Sequence, residues 1–411
     1  MMYSNPLTAD TVIIGGGAAG SICAITAANH GDNVIIIEPN KKIGRKLRIT
    51  GKGRCNLTNS CSIENVLKNI NGNNKFLYSS LNNFDTFSVI NFFESLGVPT
   101  KVERGNRVFP ISDNANDIAD ALSNKINELN IRVIQEKALN IDYNNSYVIG
   151  VKTQNHNIKT SKCVVCTGGM SYPLTGSTGD GYRFAKDAGH NVINCRPSLV
   201  PLESDDYFCS QLQGVSLKNI KLTAYENNKV IYCDIGEMMF THFGITGPLV
   251  LSASAHMRDF INNDYHIELD LKPGLDEVKL NKRILRDFDK NKNKEISNVL
   301  NELTLKSLIP IILKKANING NQVVNSITKE QRQALINVFK SFSINIYGTR
   351  PFDEAIVTSG GIDLKEINPR TMESKIIKGL YFAGEVLNLD AYTGGYNLQI
   401  AWSTGYTAGL K

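Results

Sequence analysis

Apolar and polar positions along this chain follow two periods. Residues 11–14 (Thr11, Val12, Ile13, Ile14) are an unbroken apolar run of the length expected for a strand buried on both faces, and Val34 to Ile37 is a second. Between them Gly15-Gly16-Gly17-Ala18-Ala19-Gly20 interrupts the pattern, and residues 21–29 continue as a small, mostly apolar helix. Helical periodicity returns over 65–97, with Phe84, Phe87, Phe92, Phe93 and Leu96 as its apolar face, and again over 115–129. Residues 131–134 and 162–169 read as strands, the second ending in Gly168-Gly169. From about residue 196 the texture becomes short alternating strands, 217–224 and 229–235 joined by Asn227-Asn228, then 265–271. Pro273-Gly274 breaks the chain, and 276–342 is helical in pattern, with an apolar stripe that includes Leu300, Ile311, Leu335 and Phe339. Residues 354–357 read as a strand, 359–362 as a turn, 379–385 as a strand, and 392–408 as the approach to and body of a last helix.

The glycine turn carries chemistry. Gly15 permits a tight turn, Gly17 lets a pyrophosphate approach the backbone, and Gly20 lets helix and strand pack closely. Ala18 and Ala19 open the helix, whose first N–H groups are free to meet phosphate. Glu38, closing the second strand, is placed to accept hydrogen bonds from an adenosine ribose and favours a free ribose over a 2′-phosphorylated one. Strand, glycine turn, helix, strand and acid in this order predict a dinucleotide site.

Composition changes the picture in three respects. At 411 residues the chain exceeds the size at which one core stops growing, so two or three domains are expected. Eight scattered cysteines, a polar start and the lack of any apolar run near the roughly 18 residues of a membrane span predict a cytoplasmic protein with free thiols and no membrane partner. The net charge of +6 is modest, but Lys41, Lys42, Arg45, Lys46, Arg48, Lys52 and Arg54 crowd one stretch, which serves a cofactor, an anionic substrate or RNA unless it is simply a solvated surface. Cys163 and Cys166 have C-x-x-C spacing, yet a strand turns residues three apart to opposite faces, so they are read as buried apolar side chains and no metal is expected.

The most distinctive stretch is Ile43 to Asn59, I-G-R-K-L-R-I-T-G-K-G-R-C-N-L-T-N, a glycine-rich basic segment with neither period. With the glycine turn it resembles the BaiN/RdsA-type (YhiN-like) family of NAD(P)/FAD-dependent oxidoreductases. Further landmarks of that family follow in order: Ser171 with Pro173, Gly176, Gly179 and Gly181; the 238–248 stretch containing His242; 371–375; 379–385; and 392–399. The resemblance implies an α/β fold. An FAD-binding Rossmann-type domain of the two-dinucleotide flavoprotein kind spans 1–195 and 362–411, with a small β-barrel substrate domain (196–273 and 343–361) and a helical insert (274–342) spliced into it. It also implies cofactor contacts beyond the glycine turn: Arg45, Lys46, Gly53, Arg54, Cys55 and Asn56 from the basic segment; Ala138, with strand backbone along the adenine; Thr167 and Gly168 near the pyrophosphate; Gly384 and Glu385 at the ribityl or pyrophosphate part; and Asn397 and Leu398, whose backbone at the start of the last helix would stabilise negative charge on reduced flavin.

The activity so implied is an FAD-dependent oxidoreductase, reduced by NAD(P)H, that passes a hydride from flavin to an unsaturated acceptor. Acceptors and donors linked to the family are uridine in ribosomal RNA, unsaturated steroids and amino ketones, so an RNA reductase and an amine or amino-ketone oxidase stand as alternatives. So do a thiol–disulfide reductase using Cys55 and Cys61, and a non-catalytic FAD- or RNA-binding module. No catalytic residue is assigned. His242 is the one candidate acid or base, its alternative being a histidine that only holds its own loop.

Overall fold

The computed structural model describes residues 7–410 and divides into two compact units, 7–198 with 352–410, and 199–351. In the first, a five-stranded sheet runs in the order Leu380–Phe382, Lys162–Val165, Thr11–Ile14, Val34–Ile37, Arg132–Ile134, with every neighbouring pair parallel. The two apolar runs are buried throughout, with helix Ala18–Asn29 packed on them and the antiparallel strand Tyr147–Thr153 packed against the neighbouring Lys162–Val165. The glycine turn leads into helix Ala18–Asn29, against which the last helix, Tyr396–Gly409, packs without room for a side chain: a Cβ on Gly405 would sit 2.3 Å from the Ala19 carbonyl oxygen. The two ends of the chain thus meet in one core.

The helical reading of 65–97 resolves into shorter pieces, Ile63–Lys68, Tyr78–Asn83 and Thr86–Ser95, parted by a left-handed Gly72 and restarted by Asp85, whose side chain accepts from Ser88 N–H. The strand expected at 354–357 is instead Val357–Ile362, which pairs antiparallel with Val192–Ser198 inside the first unit. Gly360 and Gly361, read as a turn, lie within it, with φ of 95° and 124°. That pairing carries the boundary of the first unit back to residue 352, ten residues before the expected 362.

The second unit is a seven-stranded antiparallel sheet in the order Phe342–Ile346, Tyr265–Asp270, Ser216–Glu226, Lys229–Thr241, Gly244–Thr246, Leu202–Glu203, Gly348–Thr349. Its two outer strands are successive pieces of one run parted by Tyr347, so the sheet comes round on itself as a barrel. The helical segment, expected as a separate insert, shares one core with this sheet. Leu280, Ile284, Leu335 and Phe339 from helices Glu277–Lys290 and Lys329–Lys340 pack in the same cluster as Phe240, Leu269 and Phe342 from the strands.

Candidate functional site

A cavity of about 340 Å³ opens at the carboxyl ends of the central strands of the first unit, beside the glycine turn. Gly15 turns the chain at φ 105°, and its own Cβ would lie 2.5 Å from the Cys166 carbonyl oxygen, so only glycine lets these two strand ends approach. Gly17 caps the first helix without a side chain, and nothing lies within 4 Å of where its Cβ would be. Ala18 and Ala19, the first helical residues, join Gly15 and Gly17 on the cavity wall. Gly20 does not: a Cβ there would be 1.9 Å from the Gly15 carbonyl oxygen, so its part is to let helix and turn close on one another.

The last helix reaches the same cavity. Gly395, at φ 97°, precedes it, and Asn397 and Leu398 in its first turn are wall residues. The Asn397 amide is occupied, donating to Ala391 O at 2.7 Å and accepting from Ala391 N at 2.9 Å, so its backbone is what it offers the cavity. Two helices of 12 and 14 residues therefore bring their N-termini, each with unpaired N–H groups and a positive dipole end, to one space.

Glu38 lies at one end of the wall with Ala138, and is buried. Its Oε2 accepts from Gly16 N at 2.8 Å and its Oε1 from Asn40 N at 2.9 Å and Asn40 Nδ2 at 2.7 Å, which fixes the carboxylate while leaving acceptor capacity on Oε2. Asn40 also donates to Thr175 O, tying a distant loop to this corner. Lys137 and Asp180 form an ion pair of 3.0 Å on the same wall.

Elsewhere on the wall stand Thr167, Gly168, Gly384 and Glu385. Glu385 is held by Lys46, with Nζ 2.7 Å from Oε2 and 3.0 Å from Oε1, and its Oε1 also accepts from Ser171 Oγ and Thr358 N at 2.9 Å each. Burial pushes this carboxyl up, but the Lys46 charge and the donated hydrogen bonds outweigh it and hold its pKa below the ordinary glutamate range. Thr167 Oγ1 is buried and has no hydrogen-bond partner among the described residues. It faces Gly181, where a Cβ would lie 2.2 Å away, and is not exposed to the cavity. Glycine cradle, two helix N-termini and fixed acid all fit a dinucleotide.

The basic segment divides. Arg45, Lys46 and Asn56 line the cavity; Gly53, Arg54 and Cys55 do not. Arg54 is claimed by Glu103 at 2.5 Å and Asp113 at 2.6 Å and lies over the Phe109 ring, 4.1 Å from its centre. Asn56, with its amide oriented to suit its neighbours, accepts from Gly395 N and donates to Thr58 O and Val108 O, clamping the segment to the start of the last helix. Cys55 is fully buried and burial pushes its thiol up to about 12, while Cys61 is raised by the same cause. Neither has the lowered pKa of an exchanging thiol. Cys163 is buried in the strand Lys162–Val165, and Cys166, just past its end, is buried beside the cavity. His242, in the second unit, is exposed at the two-residue turn between Lys229–Thr241 and Gly244–Thr246, with its ring edge-on to Phe243.

Sequence reasoning missed Asn40, Lys137, Asp180, Val357 and Thr393, all on the wall. Asn40 follows Glu38 by two residues and Lys137 precedes Ala138, so proximity to chosen residues was the one signal available for them.

Comparison with known proteins bears on this geometry. The sequence model of one family, described as HI0933-like protein Rossmann domain, matches residues 9–411. A 3-dehydro-bile acid delta(4,6)-reductase of Clostridium scindens is 32% identical over 404 residues, covering 97% of each chain. A ribosomal RNA dihydrouridine synthase of Haemophilus influenzae is 30% identical over 411 residues, covering 98% of each. Among solved structures, a 3-ketosteroid delta1-dehydrogenase of Sterolibacterium denitrificans shares the fold with a TM-score of 0.52 at 12% identity, covering 98% of both chains.

Proposed function

The chain belongs to the HI0933-like family, and from that premise we propose that it is an FAD-dependent oxidoreductase that transfers a hydride to a carbon–carbon double bond conjugated to a carbonyl group. The observation that carries this reading is the convergence of two helix N-termini on one glycine-lined cavity with a fixed acid. The acceptor class is drawn from its relatives: a delta(4,6)-reductase of a 3-keto steroid and a dihydrouridine synthase both saturate a double bond that a carbonyl polarises.

FAD bound here supplies the hydride chemistry, and the protein supplies orientation and electrostatics. In this account the backbone of Gly15, Gly17, Ala18 and Ala19 holds the pyrophosphate, Glu38 takes the ribose, and Ala138 lies along the adenine. Thr167 and Gly168 close the middle of the cofactor, and Glu385, its charge kept by Lys46, accepts from cofactor hydroxyls. Asn397 and Leu398 present N–H groups to the flavin end. NADH or NADPH is the reductant, and the cytoplasm is the compartment. Uridine in ribosomal RNA is the second reading of the acceptor, favoured by the dihydrouridine synthase relative together with the chain's positive charge.

The test is to release the cofactor from purified protein by heat and identify it by mass, then to titrate the intact protein anaerobically with NADH and with NADPH. Stoichiometric FAD, bleached by one of the two, is the expected result. A colourless protein that takes up no added FAD would contradict the whole reading, and FAD reduced only by amines would turn it toward an oxidase.

A further inference from the structure

Helix Glu277–Lys290 presents Lys279, Lys282, Arg286 and Lys290 at intervals of three, four and four residues, so all four lie on one stripe. They are exposed, as are Lys292 and Lys294 just beyond, while Leu280, Ile284 and Phe288 on the opposite side are buried in the core of the second unit. Among the described residues, Lys282, Lys290 and Lys294 have no carboxylate within ion-pair reach. The pairs of Lys279 with Asp276 and of Lys292 with Asp289 are surface contacts of 3.2 and 3.9 Å, and Arg286, itself exposed, lies 3.7 Å from Asp287, contacts of the kind that hold a charge only loosely. Residues 274–342 contain thirteen Lys and Arg against seven Asp and Glu, an excess equal to that of the whole chain, 45 over 39.

Folding accounts for Lys290, a cation in the last turn at the negative end of the helix dipole, but not for the rest of the stripe. An outer helix face is solvated equally well by mixed signs, and like charges at i, i+4, as Lys282 with Arg286 and Arg286 with Lys290 are, work against the helix. The basic segment near the glycine turn is different: Lys46, Arg48 and Arg54 there are spent on Glu385, Asp120 and the Glu103–Asp113 pair.

We infer that the exposed face of helix Glu277–Lys290, continued by Lys292 and Lys294, docks the phosphate backbone of an RNA. This rests on the second reading of the acceptor, uridine in RNA, and supplies the surface that reading requires. An anionic membrane suits the stripe less well, since Val278 and Leu285 are the large apolar side chains this helix exposes and its apolar face is already buried.

The test uses the full-length flavin-loaded protein, a labelled 20-nucleotide RNA hairpin and fluorescence anisotropy across a KCl series. The K282Q/R286Q/K290Q/K294Q variant is compared with wild type and with K41Q/K42Q/K52Q. Four lost phosphate contacts should lower the slope of log affinity against log salt by about 3 and weaken binding at least tenfold at low salt, while the loop variant keeps the wild-type slope. Flavin absorbance and reduction by NAD(P)H should be the same in all three proteins. An unchanged slope in the helix variant, or a slope lost in the loop variant instead, would overturn the assignment while leaving the RNA reading in place. No salt-dependent binding by wild type would overturn both, and the flavin reading would still stand on its reduction. Loss of binding to phosphatidylglycerol vesicles with RNA affinity intact would make the stripe a membrane contact and overturn the proposal.

Discussion

At the scale of single residues, what the cavity can do depends on which charges are spent and which remain. Lys46 and Glu385 neutralise one another at the cavity, each about one-fifth exposed. Replacing Lys46 by Met leaves a mostly buried carboxylate without its counter-ion, and a loss of about 1–3 kcal/mol in urea unfolding at pH 7.5 is expected. The pH dependence has a definite sign. A carboxyl held low in the native state adds stability above its unfolded pKa, about 4.3, and loses it as the pH falls through the lower native value. With Lys46→Met the carboxyl rises, and the acid limb of the stability curve should move to higher pH; an unmoved limb would show that the pair does not set it. Cys55 and Cys61 give the opposite kind of prediction. With both thiols raised by burial, Cys55→Ser and Cys61→Ser should leave the rate of flavin reduction by NAD(P)H within about twofold of wild type, as measured by anaerobic stopped flow. The place of Glu38 on the cavity wall was readable because it closes the second strand, where the glycine turn brings the strand ends together. Arg54 was not, because sequence counts a base and not its partners: Glu103 and Asp113 come from another part of the chain, so a residue placed among the cofactor contacts stands off the cavity wall in an ion-pair cluster.

At the scale of elements, close approach of backbone to backbone fixes where the glycines stand. Gly20→Ala would set a methyl group against the Gly15 carbonyl oxygen in a helix that is buried on nearly every side, so helix and turn must part. Overpacking of this kind costs about 1–3 kcal/mol, and thermal unfolding should show it together with loss of bound flavin, since the displaced turn is the wall of the cavity. Gly17→Ala, where the added methyl meets no protein atom, should leave apoprotein stability within about 0.5 kcal/mol and weaken cofactor retention alone. The central parallel strands were legible from their unbroken apolar runs, and the hairpin at Asn227-Asn228 from its turn residues. The strand Val357–Ile362 was not. A Gly-Gly pair is a turn signal, whereas here Gly360 and Gly361 stay in the strand because Cβ atoms would meet Asn194 O and Val386 O, contacts made by segments remote in the sequence. The single helix read over 65–97 failed for a related reason: its aromatic spacing is helical, but Gly72 and the Asp85 cap cut it into pieces.

At the scale of the whole molecule, the first unit is made from both ends of the chain and the second from one continuous stretch. Glycine turn, acid and basic segment are near neighbours in sequence, and so most of that half of the cavity could be foreseen. The other half comes from residues beyond 136, and its details, such as the bond from Asn40 to Thr175, join positions 135 apart. The resemblance to a flavoprotein family bridged that distance for Thr167, Gly384, Glu385, Asn397 and Leu398, which all reach the cavity wall. His242, drawn from the same resemblance, stands exposed on a hairpin of the second unit, and His242→Ala is expected to keep the affinity for FAD unchanged in equilibrium titration. The central claim is that flavin here passes a hydride to a double bond conjugated to a carbonyl. Its most direct test is to reduce the bound flavin anaerobically, mix it with a 3-keto-4,6-diene steroid or a uridine-containing RNA, and follow the oxidised band near about 450 nm. Return of the band with one of these acceptors, with the saturated product found by mass, is the predicted result. A band that returns with oxygen alone, and with neither acceptor, would contradict it.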